Sequence, residues 1–303
     1  MQAERPARLL VTGCQGQVGF ELRRSLAPLG HVIALDRAGC DLTQPDAIRR
    51  AVRDIRPDVI VNAAAYTAVD QAEQQSSLAH AVNGVAPGVL AEEARAQGSL
   101  LVHYSTDYVF DGNSPGRYLE TDAADPQSVY GQSKLAGERA IAASGATALV
   151  LRTSWVFGAH GGNFVKTMLR LGREQDSLRI VADQHGAPTS AALIADVTAQ
   201  IVARFWLHGE RSGFPGGLYH LAASGETTWH AYAQEIFRVA RSLGVPLRVP
   251  EGGVLPIPAS DYPTPARRPQ NSRLDTTQLQ RTFGMHLPPW EQGLQHMLEQ
   301  IIA

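Results

Sequence analysis

Two residues near the middle of the chain have the spacing of an acid and the cation that tunes it. In YGQSK, residues 130 to 134, Tyr130 stands four positions ahead of Lys134, and the chain holds one other lysine, Lys166. On a helix that spacing is one turn, about 6 Å along the axis, with both side chains on one face. An ammonium at that range favours the phenolate and is expected to lower the phenol from its usual value of about 10, making Tyr130 a better proton donor near neutral pH. Such a donor suits reduction of a ketone, whose oxygen gains charge as hydride arrives. Taken alone the pentapeptide fits a solvated helix face better, so its surroundings must decide.

Those surroundings hold hydroxyls and glycines in a telling order. HYSTDYVFDG (103–112) carries Ser105, Thr106, Asp107 and Tyr108 at what reads as a strand tip, where the Thr106 hydroxyl is placed to hold a substrate oxygen in line with the phenol. TGCQGQVG (12–19) carries Gly13, Gly16 and Gly19 between a strand and a helix. In that position glycines permit a tight turn, close backbone approach to a pyrophosphate, and close helix packing, with the phosphates over the helix amino terminus. Asp36 follows about 20 residues later, at the end of the next strand, where a carboxylate meets the adenosine ribose hydroxyls of NAD. Arg37 beside it instead suits the 2′-phosphate of NADP. The expectation is therefore a nicotinamide dinucleotide, NADPH or NADH, with the preference open. Asp41 and Leu42 lie where a loop reaches an adenine, or where an Asp caps the next helix. Ala63, Ala64 and Ala65 suit close contact with a cofactor or with a helix.

These residues need elements to position them. RLLVT (8–12), HVIALD (31–36), DVIVNAAA (58–65), SLLVHYST (99–106) and TALVLRTS (147–154) read as strands. QVGFELRRSLAPLG (17–30), PDAIRRAVRDIR (45–56), residues 78–97 and VYGQSKLAGERAIAAS (129–144) read as the helices between them. Nearly continuous apolar strands alternating with helices predict an α/β fold, a doubly wound parallel sheet of the Rossmann type covered on both faces. Beyond about residue 155 the regularity loosens. FVKTMLRLGREQ, AALIADVTAQIVARFW and the terminal PPWEQGLQHMLEQII alternate with GLYHLA and a proline-rich stretch, VLPIPASDYPTPARRPQ. We expect residues 1–155 to form a dinucleotide-binding domain completed by segments within about 176–230. Residues 156–303 are then mainly a smaller carboxyl-terminal α+β substrate lobe, interleaved with that completion.

Composition narrows the classes further. The chain has 303 residues and a net charge of −2, without a basic block, which argues against a nucleic-acid partner. Its two cysteines, Cys14 and Cys40, make neither a disulfide framework nor a C-x-x-C pair and fit a reducing cytosol. MQAERPARLL lacks the apolar core of a signal peptide, and no apolar run reaches the roughly 18 residues of a membrane span. The chain is thus expected to be cytoplasmic.

Together the glycine loop, the strand-tip threonine and Tyr-x-x-x-Lys resemble the extended short-chain dehydrogenase/reductase family. NAAAYTAVDQAE, STDYVFDG, YGQSKLAGE, RTSWVFG, GGNFVKTMLRL, DQHGAPTSA, GLYHLAASGETTWHAYA and YPTPARRPQNSRLDT resemble, in this order and over essentially the whole chain, its dTDP-4-dehydrorhamnose reductase branch. The resemblance implies hydride transfer from NADPH or NADH to C4 of dTDP-4-dehydro-β-L-rhamnose. It makes Thr106, Tyr130 and Lys134 catalytic, with Lys134 also holding the nicotinamide ribose. It puts Gly13, Gln17, Val18, Asp41, Leu42, Ala63, Ala64 and Ala65 at the cofactor, and Thr67, Val69, Tyr108 and Trp155 in the sugar pocket. Arg267, Arg268 and Arg273 sit in a proline-rich loop, where guanidinium suits a substrate diphosphate.

Some members of that branch dimerise around magnesium held by glutamates of three helices. Glu21 and Glu291 match two of those positions, but Ala192 occupies the third, so a bridging metal is not expected to be required, and a homodimer by other contacts stays open. His160, His185 and His220 show no zinc spacing. Two other readings keep the fold: epimerisation or dehydration of a nucleotide-sugar, for which Asp107 is the relevant residue, and a non-catalytic regulatory subunit like the relatives that bind methionine adenosyltransferase. The wider STDYVFDG segment argues against the first, and the intact Thr106, Tyr130 and Lys134 against the second.

Overall fold

A computed structural model of the chain describes residues 5–302; residues 1–4, where the amino-terminal stretch read above begins, lie outside the described residues, as does Ala303. Five apolar runs form strands β1 (Ala7–Thr12), β2 (Gly30–Leu35), β3 (Val59–Asn62), β4 (Leu100–Thr106) and β5 (Ala148–Thr153). They pair in parallel in the order β5-β4-β3-β1-β2, and Gly217–His220 joins the outer side of β5 as a sixth parallel strand. Every residue of β3, β4 and β5 is buried, because helices cover both faces.

The period-2 alternation of side chains divides the core in two. Leu9, Val11, Val59, Val61 and Val102 point to a face packed by α1 (Gln17–Ser25) and α8 (Ala191–Ile201), while Leu10, Ile60, Leu101 and Val150 point to the other. That second face is covered by α2 (Pro45–Ile55), α5 (Ala86–Gln97) and α6 (Val129–Ser144). A separate apolar cluster joins Phe157, which precedes α7, to Met168, Phe237, Trp290 and Leu298 from α7 (Phe164–Glu174), α9 (Trp229–Ser242) and α11 (Trp290–Ile302). No helix among the described residues is long and apolar enough to cross a membrane.

Three local readings are corrected. The first helix ends at Ser25 rather than Gly30, and Ala27–Leu29 makes one 3-10 turn. Pro28 has no amide hydrogen to donate to the carbonyl one turn back, that of Arg24, and Gly30 already belongs to β2. The helix expected over 78–97 begins at Ser76, in α4 (Ser76–His80), and widens into a π turn at Ala81–Val85 before α5; a further short helix, α3 (Val69–Ala72), precedes it. Pro87 cannot donate to the carbonyl one turn back, that of Asn83, and the widened turn removes the conflict. Helices α9 and α10 (Thr277–Phe283) form in stretches to which the sequence reading assigned no element.

Candidate active site

The sheet places the chemistry. From β1 the chain crosses to β2 on one side and then to β3 on the other, and this switch point opens a crevice at the carboxyl ends of the strands. A cleft of about 910 Å³ occupies it, walled by Gly13, Gly16, Gln17 and Val18 after β1, by Asp36, Arg37, Asp41 and Leu42 after β2, and by Ala63 to Ala65, Thr67 and Val69 after β3. Thr106 and Tyr108 after β4, Tyr130 and Lys134 on α6, and Trp155 after β5 complete it. Nearly all the residues singled out in the sequence thus share one cavity, of the size expected for a cofactor cleft.

The cofactor end is built from backbone. Gly13 has φ +69°, a left-handed conformation, and a Cβ there would lie 2.5 Å from Ala64 Cα, so only glycine lets the loop meet the alanine run. Helix α1 starts at Gly16 without a side-chain cap, leaving its first amides for an anion. The loop after Phe157 folds over this turn: Asn163 Nδ2 donates to Gln17 Oε1 at 2.9 Å, and His160 Nε2 lies 2.9 Å from the Gln15 carbonyl. Gly19 is not on the cleft wall; it packs α1 against the Gly13 carbonyl. Asp41 lines the cleft, and it accepts from Thr43 N and Oγ1, which hold its carboxyl below the usual range. The capping reading is not met: α2 follows Gln44 without a side-chain cap, so the Asp41 carboxylate closes a local turn ahead of the helix. The residues present therefore fit a dinucleotide.

At the catalytic end, Ser128 caps α6 by accepting from Gly131 N at 3.2 Å. Gly131 brings the helix start against the strand tip, since a Cβ there would sit 2.2 Å from the Tyr108 carbonyl oxygen. The Tyr108 and Tyr130 rings meet edge to face at 5.4 Å. Thr106 Oγ1 donates to Asp107 Oδ1 at 3.0 Å and accepts from Tyr108 N at 3.2 Å.

The expected tuning of the phenol does not hold in this geometry. Burial pushes Tyr130 up to about 12, reinforced by the Asp107 charge and opposed by the Thr106 hydroxyl. The Lys134 ammonium is turned inward: Nζ donates to the Tyr104 carbonyl at 2.5 Å and lies 3.2 Å from His103 Nε2. Burial lowers Lys134 to about 8, with Glu138 opposing. Spacing on a helix face could not show that a strand carbonyl and a histidine would compete for the ammonium. Asp107 is buried, one of its oxygens lacks a partner among the described residues, and burial pushes its carboxyl up to about 6.

Trp155 is held with φ +48°, a strained value for a residue with a side chain, and its indole stacks on Trp229 at 3.7 Å and 12°. Trp155 lines the cleft, and Trp229 supports its ring from behind. Arg267 and Arg268 do not line the cleft. Arg268 pairs with Asp70 at 2.7 Å and lies near enough to Tyr108 to act on its phenol, while its Nη1 is buried without a partner among the described residues. Arg267 donates to Gln127 at 3.3 Å and helps to lower the Asp111 carboxyl. Arg273 is bound by Asn271 Oδ1, the Pro115 carbonyl and Glu226, which makes it a loop brace.

Cleft residues outside the sequence reading include Tyr66, Tyr104, Gly161 and Gly162. All four lie inside motif segments, Tyr66 in NAAAYTAVDQAE, Tyr104 in HYSTDYVFDG and the glycine pair in GGNFVKTMLRL, but none was singled out there. Among the described residues no group of three or more His, Cys, Asp or Glu side chains is arranged to hold a metal ion. Glu21 is paired instead with Arg24, which also binds Asp196.

A doubly wound sheet whose switch-point crevice runs from a glycine turn to a Tyr and Lys on the neighbouring helix is the fold and site of the extended short-chain dehydrogenase/reductases. The model of the family described as RmlD substrate binding domain matches residues 7–302. The dTDP-4-dehydrorhamnose reductase of Burkholderia thailandensis is 50% identical over 285 residues, 93% of this chain and 95% of that one. Among solved structures, the Clostridium acetobutylicum dTDP-4-dehydrorhamnose reductase superposes with a TM-score of 0.89 at 35% identity, over 98% of this chain and 100% of that one. The Bacillus anthracis enzyme, solved in complex with NADP, gives 0.86 at 33% identity, over 97% and 99%. The chain belongs to the dTDP-4-dehydrorhamnose reductase family.

Proposed function

We propose that this chain reduces the C4 ketone of dTDP-4-dehydro-β-L-rhamnose to dTDP-L-rhamnose, using NADPH or NADH. The observation that carries the reading is the meeting of Thr106, Tyr130 and Lys134 in one cleft with the glycine loop. A nicotinamide held by Gly13, Gln17, Val18 and Ala63 to Ala65 supplies the hydride. Tyr130 gives its proton to the ketone oxygen; with its phenol near 12 it is fully protonated at neutral pH. Thr106 holds that oxygen in line, and Lys134, anchored on the Tyr104 carbonyl at the cleft wall, holds the nicotinamide ribose. Asp36 and Arg37 both face the cleft, which supports use of either dinucleotide.

Thr67, Val69, Tyr108 and Trp155 receive the sugar in this reading. Arg268, beside Tyr108 and with one donor nitrogen unpartnered among the described residues, meets the diphosphate ahead of Arg267. Residues 1–155 with the strand Gly217–His220 then serve as the dinucleotide-binding unit, and most of 156–303 as the substrate lobe, in a cytoplasmic enzyme that works without a bridging metal, as a monomer or a homodimer.

The test is oxidation of NADPH and of NADH followed by absorbance, with the 4-keto sugar nucleotide as acceptor. Turnover by the purified protein, with Tyr130→Phe reduced 100-fold or more and still binding dinucleotide, is the expected result. No oxidation with fresh substrate would refute the proposal.

A further inference from the structure

Behind Lys134 runs a line of three buried polar side chains that the reaction as described does not use. Lys134 Nζ lies 3.2 Å from His103 Nε2, His103 Nδ1 lies 3.0 Å from Asn62 Nδ2, and Asn62 Oδ1 accepts from Thr12 Oγ1 at 2.7 Å. Each residue is at most 2% exposed, so each polar atom depends on its neighbour in the line. Thr12 directly precedes Gly13, and the line therefore connects the base of the glycine loop to the catalytic lysine across β1, β3, β4 and α6.

We propose that His103 is a positioning residue that anchors Lys134, with Asn62 and Thr12 deciding which imidazole nitrogen carries the proton, so that the charge on Lys134 is coupled to the tautomer of His103. Hydrogen-bond capacity supports the coupling. A lysine ammonium has three donors and no acceptor. One donor goes to the Tyr104 carbonyl and one to His103 Nε2, leaving the third for the cleft. His103 Nε2 must then accept, its proton sits on Nδ1, Asn62 must turn its oxygen to that proton, and the amide nitrogen donates to Thr12.

When Lys134 is the neutral amine the line runs the other way. His103 Nε2 carries the proton and donates to Nζ, Nδ1 accepts from the Asn62 amide nitrogen, and Asn62 Oδ1 accepts from Thr12. One proton leaves Lys134 for solvent, the imidazole proton passes from Nδ1 to Nε2, and the amide turns over. Burial together with the Lys134 charge holds His103 well below its ordinary value, so the ring is neutral in both arrangements. The other charge acting on the pair is Glu138 on α6, itself ion-paired to Arg152 on β5; Tyr130 on α6 and Asp107 after β4 share the cleft wall with Lys134, and β1 and β3 offer the uncharged Thr12 and Asn62.

The proposal rests on Lys134 being the cation of the reductase site, but its test needs no turnover. Free protein labelled with 15N-histidine is titrated from pH 6 to 10 by NMR, which distinguishes protonated from bare imidazole nitrogens. The signal of His103 is identified by its loss in His103→Gln or, if that variant does not fold, by its altered titration in Lys134→Met. His103 is expected to stay neutral, with Nδ1 protonated at pH 6 and Nε2 protonated at pH 10, the exchange centred near 8. Lys134→Met is expected to abolish the exchange. One fixed tautomer across the range, a His103 that becomes cationic, or an exchange that persists in Lys134→Met would overturn the proposal. Absence of sugar reduction would instead strike only the functional reading above.

Discussion

Arg152 and Glu138 form a two-point ion pair in the interior, Nη2 to Oε2 at 2.7 Å and Nε to Oε1 at 2.9 Å, and Ser105 Oγ donates to the same carboxylate at 2.5 Å. The contact ties the helix that carries Tyr130 and Lys134 to the strand tip that carries Thr106, through the residue next to that threonine. Removing one partner leaves a buried charge uncompensated, which typically costs 3–5 kcal/mol. Glu138→Leu is expected to lose roughly that much in urea unfolding, whereas the double variant with Arg152→Met recovers most of it. Equal losses in the single and double variants would show that the pair is not what holds the elements together.

The closeness of α6 to the strand tip is testable by adding one carbon. A Cβ at Gly131 meets the Tyr108 carbonyl oxygen, whereas one at Gly116 meets nothing within 4 Å. Gly131→Ala should displace Tyr130 from Thr106, and a shift of about 1 Å at a catalytic group lowers kcat on the order of 100-fold. Gly116→Ala should keep wild-type kcat. Steady-state kinetics of the two variants decide it, and an unimpaired Gly131→Ala would mean that the helix gives way at no cost to the site.

Arg268 and Arg267 separate by what already holds them. A charge-assisted hydrogen bond to a diphosphate is worth about 1.5–3 kcal/mol, or roughly 10- to 150-fold in affinity. Arg268→Ala is expected to raise KM for the sugar nucleotide by that factor with little change in kcat, and Arg267→Ala to change it less than threefold. If the order of the two variants is reversed in initial-rate measurements, the diphosphate lies on the outer side of the loop.

His220 predicts a pH dependence of stability. It is fully buried, its Nε2 has no partner among the described residues, and burial together with the Arg152 charge lowers it to about 4. Below about 6.5 the unfolded chain takes up a proton that the folded chain refuses, so stability falls as pH drops from 6.5 toward 4, by up to roughly 3 kcal/mol. Asp107, raised to about 6, works in the opposite direction over the same range, since its buried carboxyl binds a proton more readily than the unfolded one. Urea midpoints from pH 7 to 4.5 should therefore fall more steeply in the wild type than in His220→Gln. Parallel curves would remove His220 from the account.

Much of the architecture was legible in the chain because it follows from local chemistry. The apolar core of DVIVNAAA has little alternative to a buried strand, although the strand is Val59–Asn62 and the alanines that follow leave it for the cleft wall; Gly13 sits where the strand-to-helix turn demands a positive φ, and Ser128 and Gly145 bracket α6 at both ends. Strand order after those elements brought Gly13, Ala64, Thr106, Tyr130 and Trp155 to one crevice, and the spacing of Tyr130 and Lys134 told which face they share. The residues that decide the electrostatics were not legible in the same way. His103 is one buried residue in a strand buried on both faces, so no alternation marks the side on which it meets Lys134. Arg152 and Glu138 are 14 positions apart and pair only because β5 lies beside β4 under α6. Local helix and strand periods already carried most of the groups that line the cleft, though not that Arg267 and Arg268 stay off it; the direction of the Lys134 ammonium and the high pKa of Tyr130 came only with tertiary packing, because burial and partners from distant strands set the energy of a charge.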